Sequence, residues 1–160
     1  MKIHTNSFSI EDLYELLNNY IIEILNSHRK TSFFQLEVEN YTNFEKNQLL
    51  ESISRTEIER QFISEQFLLE ENQKLDWNVD LISVDKVTFL PKNTIVNQEL
   101  IHFKFSLPIV SIDDVIVFIK VVYQSGFNQR SINGSNCIEM FKKDSSNKYK
   151  NIGHLFGMSI

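Results

Sequence analysis

Nine consecutive residues, Val115-Ile-Val-Phe-Ile-Lys-Val-Val-Tyr123, carry a single charge, Lys120, and six of the nine are β-branched. Branched and aromatic side chains fit a pleated surface packed on both sides. The run therefore predicts the central strand of a sheet. It is far too short to be one of the spanning helices, which need about 20 apolar residues.

The residues around it keep a period of two. Val84 to Leu90 reads as a strand stopped by Pro91. Ile101, Phe103 and Phe105 alternate with His102, Lys104 and Ser106, and Pro108 places the end of that strand at an edge or bend. Ile112-Asp113-Asp114 is a turn into the central strand. A ten-residue loop, Ser125 to Gly134, follows it, then a strand from Asn136 to Lys142, a hairpin connection over Lys143–Lys148 and a last strand from Tyr149 to Phe156. Short connections predict that the strands from Ile101 onward form an antiparallel meander.

The first half reads differently. Ser9 can cap a helix, with Glu11 and Asp12 in its first turn. Ile10, Leu13, Leu17, Tyr20, Ile21, Ile24 and Leu25 then recur at helical spacing up to about Ser27. His28, Arg29 and Lys30 sit where cations offset the helix dipole. Phe33 to Glu39 fits either a half-buried strand or a helical extension, and Glu45–Glu51 a short helix within a loop. A further helix, from about Arg55 to Asn72, has two overlapping capping signals, Ser54 with Glu57 and Thr56 with Glu59. Gln66 falls on its apolar face and needs a partner if buried. Trp77, the one tryptophan, reads as a core plug beneath the sheet.

These elements predict one α+β domain over residues 1–160, mainly helical to residue 80 and mainly sheet beyond it. Its N-terminal helices pack on one face of an antiparallel sheet of four to six strands, an arrangement that can close as a cone. The charge is divided the same way. Residues 1–80 hold 15 acids and 7 bases, and residues 81–160 hold 6 acids and 9 bases. An acidic half disfavours nucleic acid, which calls for a basic stripe, and suits a basic protein surface. No apolar leader follows Lys2, so the expected location is cytoplasmic with no membrane partner.

Catalytic chemistry finds little to stand on. The single cysteine, Cys137, excludes an internal disulfide and a cysteine-based zinc site, and it reads as a structural thiol. His4, His28, His102 and His154 share no metal-ligand spacing, although His102 and His154 both fall on strands. Asp113 and Asp114 are adjacent, and neighbouring residues rarely share one proton, so a turn accounts for them. The expectation is no catalytic residue, no metal and no cofactor. The loop from Ser125 to Gly134 carries Phe127 and Arg130, residue types enriched in binding hot spots. It reads equally well as a recognition loop or as an ordinary wide loop.

Part of the chain resembles a family. Phe105-Ser-Leu-Pro-Ile-Val-Ser111, Asp114, the long strand and Gly126, then Met140-Phe-Lys-Lys-Asp144, Lys148-Tyr-Lys150 and Met158-Ser159 follow one another in an order similar to that of a group of small bacterial α+β domains, often borne on lipoproteins. Gln66 followed by Trp77 also matches that group's helix. The resemblance covers about residues 55–160. The group often has a Cys-Gly pair where this chain has Ser125-Gly126, and a tryptophan where it has Tyr149. The resemblance implies helices followed by an antiparallel sheet, and implies no activity.

Two functions are compatible with these features. The first is a protein-binding inhibitor, most concretely an immunity protein that occludes a cognate interbacterial toxin with a basic surface, using Glu70, Glu71, Asp76, Phe127 and Arg130 as contacts. The alternative is a ligand-binding or enzymatic cone-like domain with Gln66, Trp77, His102 and His154 lining a cavity between sheet and helices.

Overall fold

A computed structural model of the chain describes residues 1, 3, 5, 7–28, 32–71, 73, 75–85, 87–90, 101–127 and 131–159. In chain order they form α1 (Ile10–His28), β1 (Ser32–Gln35), α2 (Asn43–Ile53), α3 (Glu57–Glu71), a 3-10 turn (Val79–Leu81), β2 (Val87–Leu90), β3 (Ile101–Phe105), β4 (Ile109–Val110), β5 (Ile116–Phe127), β6 (Ser131–Lys143) and β7 (Tyr149–Ser159). The α+β class holds, and no helix among the described residues is long and apolar enough to cross a membrane.

The starts of α1 and α3 follow the caps read from the sequence. Ser9 Oγ accepts the Asp12 N–H at 3.1 Å while Asp12 Oδ2 accepts the Ser9 N–H at 2.9 Å, a reciprocal cap. Thr42 and Glu45 cap α2 in the same way. For α3 the second of the two signals prevails: Thr56 Oγ1 accepts the Glu59 N–H, and Ser54 instead closes α2.

The sheet runs β2-β1-β3-β5-β6-β7, with β4 also paired to β5. From β3 onward it is the expected antiparallel meander. Two features of the sheet differ from the expectation. Among the described residues it has seven strands, and it is mixed: β1 lies parallel to both β2 and β3. The ambiguous stretch Phe33–Glu39 thus starts inside a short strand, Ser32–Gln35, between β2 and β3, where Phe34 fills the core between Phe89 and Phe105. Beyond Gln35 only Glu37 and Glu39 make isolated bridges. The ten-residue loop after the central strand is also shorter than expected. Pairing continues to Phe127 opposite Ser131, because the backbone of Gln124–Gly126 finds ladder partners in Ile132–Gly134.

The helices cover both faces, not one. Val117, Ile119 and Val121 of β5 join Phe103, Phe105 and Phe141 in a core roofed by Leu13, Leu17 and Ile21 of α1. Phe118 and Ile138 point the other way, into a second core with Leu49 of α2 and Ile63 and Phe67 of α3. The cause is the composition of the central strand. Both of its faces are apolar, so both must be covered. Trp77 fills the first core as expected, edge-on to Tyr14 and Phe34.

Pro108 falls in the gap between β3 and β4, where its missing donor costs no ladder bond. Ser106 Oγ and Tyr41 Oη fill that gap by accepting the Lys120 N–H at 2.9 and 3.3 Å. At one outer edge, β7 carries two register shifts against β6. The shifts, together with Lys148 and Lys150, blunt an otherwise open edge. Gly153 sits at one of them with φ of 127°, a conformation that L side chains rarely adopt. A Cβ there would meet nothing within 4 Å. Gly153→Ala is therefore expected to lower stability by about 1–3 kcal/mol through backbone strain alone, without a clash. Urea unfolding reads this directly, and an unchanged midpoint would show that β7 relaxes at no cost.

Candidate functional site

The second face of the sheet is only partly roofed. Where the α2–α3 junction ends, a groove of about 380 Å³ opens between that junction, the β4–β5 turn and the outer strands. Its floor is apolar: Ile53, Ile63, Ile116, Phe118, Met140 and Leu155. Its rim is polar: Ser52, Arg55, Glu59, Ser111 and Asp113. The two register shifts of β7 fall opposite Ile138–Phe141, beside Met140 and Leu155 of the floor. Bulges commonly re-aim side chains next to binding sites, and here they set one wall of the groove.

The rim acids are held by local donors. Asp113 Oδ1 accepts the Ser111 hydroxyl at 2.6 Å and the Val115 N–H at 3.1 Å. The Ser111 hydroxyl, ahead of the backbone donor, holds the carboxyl below its usual range. Glu59 Oε2 accepts the backbone N–H of Arg55 at 2.7 Å. Asp114, next door, faces the opposite way. Its Oδ2 takes the backbone and side-chain donors of Ser7 at 2.6 and 2.7 Å, and its φ of 58° confirms the turn read from sequence. The two aspartates therefore do not act as a pair.

Behind the groove, polar groups anchor the helices to the sheet. Gln66 is buried and grips both backbone groups of Val110, its Nε2 donating to the carbonyl and its Oε1 accepting the N–H, each at 2.8 Å. The side-chain amide stands in for a neighbouring strand on the free side of β4. Lys120 and Glu45, each 3% exposed, form an ion pair at 2.8 Å, and the ammonium also donates to the Asn40 carbonyl. Glu39 lies 3.6 Å away.

The anticipated contact residues do not gather into one surface. Glu70 is 3% exposed, and its Oε1 accepts the Tyr41 N–H at 3.1 Å, so it holds α3 to the start of α2 and cannot serve as a surface contact. The helical period carried it inward with Ile63 and Phe67. Asp76 is exposed, in a bridge with Glu37. Arg130 and His4 lie outside the described residues, as do the side chains of Glu71 and Phe127. The anticipated cavity of Gln66, Trp77, His102 and His154 does not form either. Gln66 and Trp77 serve opposite faces of the sheet. His102 is buried against Gln35 at 2.9 Å, and His154 is exposed on β7. With β5 and β6 between them, the two histidines stand about 14 Å apart by strand spacing alone.

Cys137 lies on the α1 side of the sheet, half-buried, with Sγ 3.3 Å from Glu139 Oε1. Burial, then the Glu139 carboxylate, pushes its thiol up to about 12, so it stays protonated and a poor nucleophile. Burial and then Glu139 likewise push the Tyr20 hydroxyl well above its ordinary range. Among the described residues no three His, Cys, Asp or Glu side chains are placed to hold a metal ion.

Of the groove, the sequence offered the individual apolar residues and the Asp113 turn, but not their convergence. Gly153 was the one local sign of a bulge. Comparison of the chain with family models, with curated proteins and with solved structures finds no match.

Proposed function

We propose that the protein is a protein-binding inhibitor, an immunity protein acting in the cytoplasm that occludes a cognate interbacterial toxin. The observation that carries this reading is the outer surface of α2 and α3. Phe44, Ile58 and Leu68 are 58%, 72% and 58% exposed there, among the exposed carboxylates of Glu51, Glu57 and Glu65. Large exposed apolar groups with more acids than bases around them, Arg55 and Arg60 being the exposed bases, fit a partner that is basic around an apolar centre. The contact set therefore moves from Glu70 to these residues, with Asp76 retained.

The experiment is co-expression with the product of the adjacent gene. The wild-type chain restores growth and binds the purified product. Ile58→Arg/Leu68→Arg weakens binding at least 100-fold while the circular dichroism spectrum and thermal midpoint stay unchanged. Failure of the wild-type chain to bind or to restore growth overturns the reading, and so does a fully active double variant.

The groove favours a second reading, a small-ligand-binding α+β domain. Its volume lies within the roughly 300–1,000 Å³ of small-molecule sites, and its apolar lining with a few polar groups matches their usual make-up.

A further inference from the structure

We propose that the groove between the α2–α3 junction and β7 binds a small aliphatic carboxylate, its chain on the apolar floor and its head group on Arg55. The assignment rests on the second reading, that the groove holds a small ligand, and adds the chemistry of that ligand. The floor is made of aliphatic side chains and one phenyl ring, with no polar group to orient a ring or a sugar. Selectivity must therefore come from the rim. One oxygen of each acid is held by local donors, Asp113 Oδ1 by Ser111 and Val115, and Glu59 Oε2 by the Arg55 backbone, which leaves Arg55 as the rim's charged donor. The guanidinium of Arg55 is exposed and makes no ion pair with any described residue. A guanidinium presents two parallel donors that match a carboxylate, and it stands at the mouth of an apolar slot. An alkyl chain ending in a carboxylate meets both requirements at once. A cationic amphiphile would meet Arg55 as a like charge and Glu59 and Asp113 as opposite charges, so it is the competing probe for this groove.

The test is methyl NMR of the full chain, with labelled methionine and isoleucine methyls, titrated with decanoate, decan-1-ol or decyltrimethylammonium below micellar concentrations. Decanoate is expected to give saturable shifts at Met140, Ile63 and Ile116. Arg55→Met is expected to weaken decanoate at least ten-fold and to leave decan-1-ol unchanged. Arg55 is exposed, so the variant folds, and its unperturbed spectrum without ligand verifies that. If decan-1-ol binds and decanoate does not, the groove remains a ligand site and the carboxylate assignment fails. The assignment also fails if Arg55→Met binds decanoate as tightly as the wild type, or if the cationic probe binds best. If none of the three shifts these methyls, the ligand-binding reading fails with it.

Discussion

Lys120→Met is expected to destabilise the protein by about 3–5 kcal/mol, although methionine fits the same space and suits the core better. The ammonium is the main partner of Glu45, which is 3% exposed. Without it the carboxylate keeps the Thr42 N–H at 3.0 Å, while its other oxygen, Oε2, is buried and unpartnered. Removing one member of a buried ion pair leaves a desolvated charge, and that cost dominates. The double variant Lys120→Met/Glu45→Gln is expected to recover most of the loss. The glutamine oxygen can still accept the Thr42 N–H and hold the α2 cap, and no charge remains to be buried. The measurement is the urea midpoint at constant slope for the two single variants and the double. A cost below about 1 kcal/mol for Lys120→Met would show that the carboxylate reaches water. The outcome matters for the surface proposed to bind a partner, since this pair ties α2 to the centre of the sheet.

A second large loss is expected at Gln66. Gln66→Leu keeps the volume but leaves the N–H and C=O of fully buried Val110 without their side-chain partner. Each buried unsatisfied group costs about 1–3 kcal/mol, so the expected loss for the two is about 2–6 kcal/mol. Gln66→Glu separates the two bonds. At neutral pH the carboxylate still accepts the Val110 N–H but faces the Val110 carbonyl as a second acceptor. Protonation turns it into a donor. The folded state therefore favours the protonated form, and the folded pKa of this glutamate rises above its unfolded value. With more protons bound in the folded state, the gap to wild type must narrow as pH falls through that folded pKa. Parallel urea curves across acid pH test this. A gap independent of pH would mean that Val110 has turned to other partners.

Both predictions concern residues that local reasoning could flag but not place. Gln66 stood out as a polar residue on an apolar helical face, and its burial required a partner. That the partner is the free side of a two-residue strand far along the chain follows only from where Pro108 splits β3 from β4. Glu70 shows the opposite case. One more carboxylate in an acidic run reads as surface, yet the same helical period that buries Phe67 turns it inward toward Tyr41. Lys120 was visible as the lone charge of the central strand, but nothing in its neighbours points to Glu45.

Local patterns in the sequence suffice for the helices seen among the described residues, the caps of α1 and α3, the antiparallel meander from Ile101 onward, the turn at Asp113–Asp114 and the core role of Trp77. These depend on periodicity, capping and turn chemistry, which act over a few residues. Only long-range packing places β1 parallel in the sheet, puts helices on both faces, and bulges β7 toward a groove floored by side chains from five separate elements. The reason is physical. Each apolar face specifies that it must be buried, but many partners would bury it equally well, and the choice among them is made only when the whole chain competes for the same surfaces.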